Sequence, residues 1–138
     1  GKTVPDDLPG VSVTDLIDGT IPDRVAFSEY HGMGSKTGAF MIRKGVYKLI
    51  YYINYPPQLF NLEDDPEELN DLGQAPEAAP IIDELRVELR TICDPEEVDR
   101  RAKRDQAKLL EKSGGKQAVI ERGDLGFSVP PGIEPMFD

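Results

Sequence analysis

Residues 39–62 constrain the fold more than any other stretch of this chain. Residues 39–43, 46–53 and 58–62 are three short runs rich in β-branched and aromatic side chains, separated by Lys44-Gly45 and by Asn54-Tyr55-Pro56-Pro57. Glycine tolerates positive φ, so Lys44-Gly45 is predicted to form a tight hairpin turn. The Pro-Pro pair cannot donate to a ladder and marks a second turn. Before these runs, residues 24–30 read as another strand, with Val25, Phe27 and Glu29 on one face, and the three glycines between His31 and Gly38 mark a loop. Four strands in meander order predict an antiparallel sheet, with Leu59 and Phe60 buried in its last strand.

Two copies of Asp-Pro-Glu-Glu, at residues 65–68 and 94–97, read as helix starts. In each the aspartate can cap, the proline suits the first helical position, and the second glutamate can return to the cap's backbone N–H. Their flanks do not match, so the repeat reads as recurring capping chemistry and not as a duplication. Between them Ala78, Ile81, Ile82, Leu85, Leu89 and Ile92 fall at helical spacing, predicting one amphipathic helix packed on the sheet. After Asp94 comes a highly charged helix with a thin apolar stripe of Val98, Ala102, Leu109 and Leu110, ending at Gly114-Gly115. Residues 117–121 are predicted as a last short strand. Pro5, Pro9, Gly10, Gly19 and Pro22 make residues 1–22 an extended linker with one helical turn at 14–17, and residues 122–138 form an extended, proline-rich tail. The expected class is α+β: a four-stranded antiparallel sheet packed against helices over residues 23–121, with extended N- and C-terminal arms.

The formal net charge is −10. This argues against nucleic acid and anionic membrane surfaces, whose phosphates call for clustered Lys and Arg. The basic run Arg100-Arg101-Ala102-Lys103-Arg104 is neutralised on its own helix by Glu96, Asp99 and Asp105. No apolar run is long enough to span a bilayer. The single cysteine, Cys93, rules out an internal disulfide and a cysteine-rich metal site; the compartment stays open, with a lean to cytoplasmic. The oxygen-rich residues Asn61, Glu63, Asp64, Asp65, Glu67 and Glu68 could attract Ca²⁺, but Pro66 stands where a calcium loop needs glycine, so capping and solvation are the expected roles. Arg43 and Lys48 read as strand charges in structural pairs across the sheet. Tyr47, Tyr51, Tyr52 and Tyr55 read as an aromatic patch serving core and interdomain packing.

The segment Met41-Ile42-Arg43-Lys44-Gly45-Val46-Tyr47-Lys48-Leu49-Ile50, followed by Gln58-Leu59-Phe60-Asn61-Leu62-Glu63-Asp64-Asp65-Pro66-Glu67-Glu68-Leu69-Asn70-Asp71-Leu72, resembles the C-terminal region of sulfatases of the alkaline phosphatase superfamily. Val4-Pro5-Asp6-Asp7-Leu8-Pro9-Gly10-Val11-Ser12 resembles the segment that follows their catalytic half. Residues 94–115 resemble the C-terminal extension of bacterial choline-sulfatase-like or arylsulfatase-like enzymes. The resemblance implies a parent that hydrolyses sulfate esters with a formylglycine made within Cys-x-Pro-x-Arg or Ser-x-Pro-x-Arg and a divalent metal such as calcium. Cys93-Asp94-Pro95-Glu96-Glu97 and Ser128-Val129-Pro130-Pro131-Gly132 both lack the arginine, so no catalytic residue, metal ligand or cofactor is expected in this chain, and it is expected to be inactive alone. The implied partner is the catalytic domain of the parent, with a homo-oligomer as a further expectation. Glu29, His31, Ser35 and Lys36 are the candidate rim of the substrate pocket, against the plainer reading of a surface loop. A free-standing interaction module derived from the sulfatase fold is the alternative function.

Overall fold

The computed structural model describes residues 12–19, 24–32 and 35–123. Of the expected arms, residues 12–19 and 122–123 are described, and Arg122 is helical where an extended tail was expected; residues 1–11, 20–22 and 124–138 lie outside the described residues. The described residues fall into two compact units divided after Pro95.

In the first unit, Ser12 caps the short helix α1, Val13–Ile17, and its side chain accepts from the Asp15 amide. Four strands follow: β1 Ala26–Tyr30, β2 Ala39–Lys44, β3 Tyr47–Tyr52 and β4 Gln58–Asn61, hydrogen-bonded in the order β1-β2-β3-β4, every pair antiparallel. The expected meander is the observed one. The hairpin register pairs Lys44 with Tyr47, so the two loop residues are Gly45 and Val46, one position later than expected, with the positive φ of 57° at Gly45. Asn54, at φ 63°, turns the chain after β3, a conformation asparagine tolerates better than most residues.

Alternation assigns the faces. Phe27, Ile42, Leu49 and Leu59 stand side by side across the four strands, and Phe40 shares their face. Phe40, Ile42, Leu49 and Leu59 have no solvent exposure. A 3-10 turn, Pro76–Ala78, leads into α2, Ala79–Ile92, which lays Ile82, Leu85 and Leu89 on this face. Lys44 Nζ meets Glu88 at 2.9 Å and Glu84 at 3.2 Å, and the Arg86 guanidinium lies 5.3 Å from the Tyr51 ring centre, fixing the helix over the sheet. Tyr47 and Tyr51 therefore face α2 while Tyr52 faces away, so the strand period splits the expected tyrosine patch between two faces.

Residues 65–68 do not start a helix. Glu68 donates its amide to the Asp65 carbonyl and then takes φ 58°, which ends the turn. The outer edge of β4 requires this reversal. The Leu72 amide bonds the Leu59 carbonyl at 2.8 Å, and Asp71 Oδ1 accepts from the Leu59 amide at 3.0 Å and the Gly73 amide at 2.8 Å. The edge strand is thereby closed by its own continuation. Lys48 Nζ donates to both carboxylate oxygens of Glu68 at 2.7 Å, and Lys48 stands opposite Phe60 in the β3–β4 register.

The second unit is helical: α3, Pro95–Lys112, and α4, Gly115–Arg122. Gly114 and Gly115, at φ 93° and 87°, make the break between them. The predicted strand at residues 117–121 is helix instead. Lys116, Gln117 and Ala118 are good helix formers, and Gln117 Nε2 donates to Glu121 Oε1 one turn on.

Candidate functional site

The connection between β1 and β2 carries the residues singled out in the sequence. Continuing the β1 alternation puts Glu29 on the α2 side, and His31 follows just beyond the strand. The His31 ring stands edge-on to Phe40, centroids 5.3 Å apart at 76°. Its Nε2 lies 3.8 Å from Glu29 Oε2, within ion-pair range for an imidazolium and beyond hydrogen-bond range. The His31 side chain is 19% exposed and that of Glu29 41%, so the pair sits at the edge of the core with one side open to solvent. His31 Nε2 is itself buried, so the Glu29 carboxylate is the part of the pair that this edge exposes.

Glycines hold this arrangement. A Cβ on Gly38 would stand 2.8 Å from His31 Cε1 and 2.9 Å from Phe40 Cε2, and one on Gly32 would stand 2.5 Å from the Tyr30 ring. Each of two rings therefore lies against a glycine, His31 on Gly38 and Tyr30 on Gly32. The sequence shows the glycines but reads them only as a loop; close approach of a ring to backbone is a tertiary fact. Ser35 donates its hydroxyl to the Thr37 carbonyl, a local turn contact, and Lys36 is exposed. Thr37 is buried with its hydroxyl oxygen unmatched by a hydrogen-bond partner. Of the four predicted residues, the structure brings Glu29 and His31 together and leaves Ser35 and Lys36 on the outer turn. Phe40 and Gly38, against which His31 packs, were missed.

The other candidates resolve into structural roles. Lys48 pairs with Glu68, and Arg43 Nε donates to the Gly45 carbonyl at 3.4 Å. In the acidic segment Asn61 Nδ2 donates to Asp64 at 2.7 Å, and Asp65 accepts from the amides of Leu69 and Asn70. Among the described residues no group of three or more His, Cys, Asp and Glu side chains could hold a metal ion. Half-buried Cys93 ends α2, and Glu97, standing where a formylglycine motif has arginine, pairs with Arg100 at 2.7 Å. On α3, Lys103 meets Asp99 at 2.9 Å, so Arg100 and Lys103 of the basic run pair within their own helix. An open recess of about 250 Å³ at the hairpin end is lined by Lys44, Val46, Tyr47, Ile81 and Leu85. Lys44 Nζ donates to Glu88 and to Glu84, and these hydrogen bonds, the Glu88 one first, raise its pKa above the ordinary value.

Comparison with known proteins gives a consistent picture. Residues 1–95 match the family described as N-sulphoglucosamine sulphohydrolase, C-terminal, and the match stops where the structure divides. Arylsulfatase K of Danio rerio is 44% identical over 73 residues, half of this chain and 13% of that protein. Choline-sulfatase of Rhizobium meliloti is 36% identical over 67 residues, 49% of this chain and 13% of that protein. A crystal structure of a sulfatase from Bacteroides thetaiotaomicron shares the fold, with a TM-score of 0.51 and 24% identity, over 75% of this chain and 22% of that one. The chain spans a fifth or less of the curated relatives it matches. A sheet closed by its own turn, a helix laid on one face and a family match that ends with that unit agree: the chain belongs to the sulfatase C-terminal domain family typified by N-sulphoglucosamine sulphohydrolase.

Proposed function

We propose that this chain is a non-catalytic C-terminal domain of a sulfuric ester hydrolase, and that its β1–β2 connection forms part of the rim of the substrate pocket. The family match over residues 1–95 carries the first part. The relatives' remaining length, with the formylglycine and divalent metal that sulfatases use, would supply the nucleophile and the sulfate-binding charge. The role of this chain would be to complete the fold and to hold the Glu29–His31 edge at the pocket mouth, with Ser35 and Lys36 on the turn beyond. The single observation behind the rim assignment is the convergence of Glu29 and His31 on Phe40 and Gly38 at a partly open edge. The expected partner is the catalytic portion of the same polypeptide, and a homo-oligomer is compatible with it.

The test uses the full polypeptide acting on an aryl sulfate. His31→Ala is expected to lower kcat/KM about tenfold, a loss of roughly 1.4 kcal/mol in transition-state stabilisation. The exposed control Val87→Ala should leave it unchanged. Wild-type kinetics in His31→Ala, with unaltered thermal stability, would remove the loop from the pocket.

A further inference from the structure

Charge is divided unevenly along this chain. Residues 1–95 carry eight Lys and Arg against seventeen Asp and Glu, a balance of −9, and residues 96–123 carry eight against six, a balance of +2. Within residues 100–112 the count is six against two, so the positive charge is concentrated on α3. Asymmetry of this kind between parts of a chain points to an anionic partner for the basic part. The helix sorts its six cations. Arg100 pairs with Glu97 at 2.7 Å and Lys103 with Asp99 at 2.9 Å. Arg101, Arg104, Lys108 and Lys112 follow one another at spacings of three, four and four residues, which sets them in one row along the helix. All four are exposed. Among the described residues Arg101, Arg104 and Lys112 take part in no ion pair, and Lys108 meets the exposed Asp105 at 3.3 Å. The neutralisation expected of the basic run therefore reaches Arg100 and Lys103 and stops short of this row. At about 1.5 Å per residue the row is roughly 16 Å long.

We propose that this row is a binding surface for a linear, multiply sulfated polysaccharide. The inference rests on the reading of the chain as part of a sulfuric ester hydrolase. It deepens that reading by naming a polymeric substrate class and a surface, separate from the β1–β2 connection, that holds it. Charge complementarity selects the occupant. Guanidinium groups donate bidentately to oxyanions, and an extended row of cations suits anions repeated along a chain better than a single small ion. Two other polyanions fit less well. Single-stranded nucleic acid is held by cations together with aromatic stacking platforms, and neither α3 nor α4 contains an aromatic residue. An anionic bilayer takes up the apolar face of an amphipathic helix, and the large apolar side chains exposed on α3 are only Leu109 and Leu110. The row lies beyond residues 1–95, so the shared family domain does not account for it.

Binding of the full polypeptide to immobilised dextran sulfate across a salt series tests this, with uncharged dextran as the reference. The double variant Arg101→Gln/Arg104→Gln is compared with Arg100→Gln/Lys103→Gln, which removes as much charge from the same helix at paired positions. Wild-type binding should weaken as salt rises, and the first variant should bind about tenfold more weakly at low salt, with a shallower salt dependence. The second variant should stay within about twofold of wild type, because its cations are already engaged. Arg101→Lys/Arg104→Lys keeps the charge and should recover most of the affinity, which separates loss of the row from loss of the helix. Equal losses in the two glutamine variants, or no binding of dextran sulfate, would overturn the row and leave the sulfatase reading standing. Tighter binding to phosphatidylserine vesicles or to single-stranded DNA, at matched anion concentration, would overturn it in favour of that partner. A full polypeptide that binds dextran sulfate through the row but turns over no aryl sulfate would instead defeat the reading beneath it, and the substrate assignment with it.

Discussion

The same four residues, Asp-Pro-Glu-Glu, produce a single turn at 65–68 and open an 18-residue helix at 95–112. The difference lies in what each continuation must satisfy. After Glu68 come Leu69-Asn70-Asp71-Leu72-Gly73, of which Asn, Asp and Gly are poor helix formers. A helix continued through them would carry Asp71 and Leu72 away from β4 and leave the Leu59 amide and carbonyl without their bonds. Those bonds contribute about 1 kcal/mol each, and the left-handed Glu68 costs about 1–2 kcal/mol. The half-buried Lys48–Glu68 pair tips the balance toward the turn. After Glu97 there is no such edge to close. Arg100 pairs with Glu97, Lys103 with Asp99 and Lys108 with Asp105, at 2.7, 2.9 and 3.3 Å, each supporting a helix by about 0.2–0.5 kcal/mol. A helix-start signal is therefore permissive, and the neighbouring sheet decides whether it is used.

The comparison can be broken most forcefully at Gly73. A Cβ there would stand 2.1 Å from the Pro57 carbonyl oxygen, so Gly73→Ala should destabilise the chain by about 3 kcal/mol in urea unfolding. Gly115→Ala, after α3, meets open space at φ 87° and should cost only about 1 kcal/mol of strain. Equal losses would mean that the first segment is not held by the sheet edge. Asp71→Ala removes the acceptor from two backbone amides and should cost about 2 kcal/mol. Asp94→Ala should cost about 1 kcal/mol, seen as lost helical ellipticity.

A finer cut is available at Glu68. Glycine loses the ion pair but adopts φ 58° freely, whereas alanine loses the pair and keeps the strain. Glu68→Gly should therefore be about 1 kcal/mol more stable than Glu68→Ala. The smallest effect concerns a pair that joins neither segment. Glu88 and Glu84 raise the pKa of Lys44 above 10.5. Its contribution to stability is thus complete below pH 10.5 and is lost as the pH rises through the higher folded value. Lys44→Met should abolish that part of the alkaline decline and, because the contribution is fully present at neutrality, lower stability there by the same small amount.

These contrasts also show what was legible in the sequence. The strand periods of residues 39–62 and the apolar spacing from Ala78 to Leu89 predict the sheet and α2, because both patterns are local consequences of which face is buried. The turn at 65–68 was not legible, since its cause is the distant Leu59 edge. Residues 117–121 were misread because Val119-Ile120 resembles a strand fragment, while the i,i+4 pair Gln117–Glu121 favours the helix. At the candidate site Glu29 and His31 could be named from residue type and loop position. Their packing against Phe40 and Gly38 depends on the β1–β2 register, which no single segment encodes.

The central claim is that this chain completes a sulfatase without supplying its chemistry. It is tested most directly by assaying the purified chain and the full polypeptide side by side on an aryl sulfate, with divalent metal present. The expected result is turnover by the full polypeptide and none by the chain alone. Turnover by the chain alone, or a full-length polypeptide that does not hydrolyse sulfate esters, would contradict it.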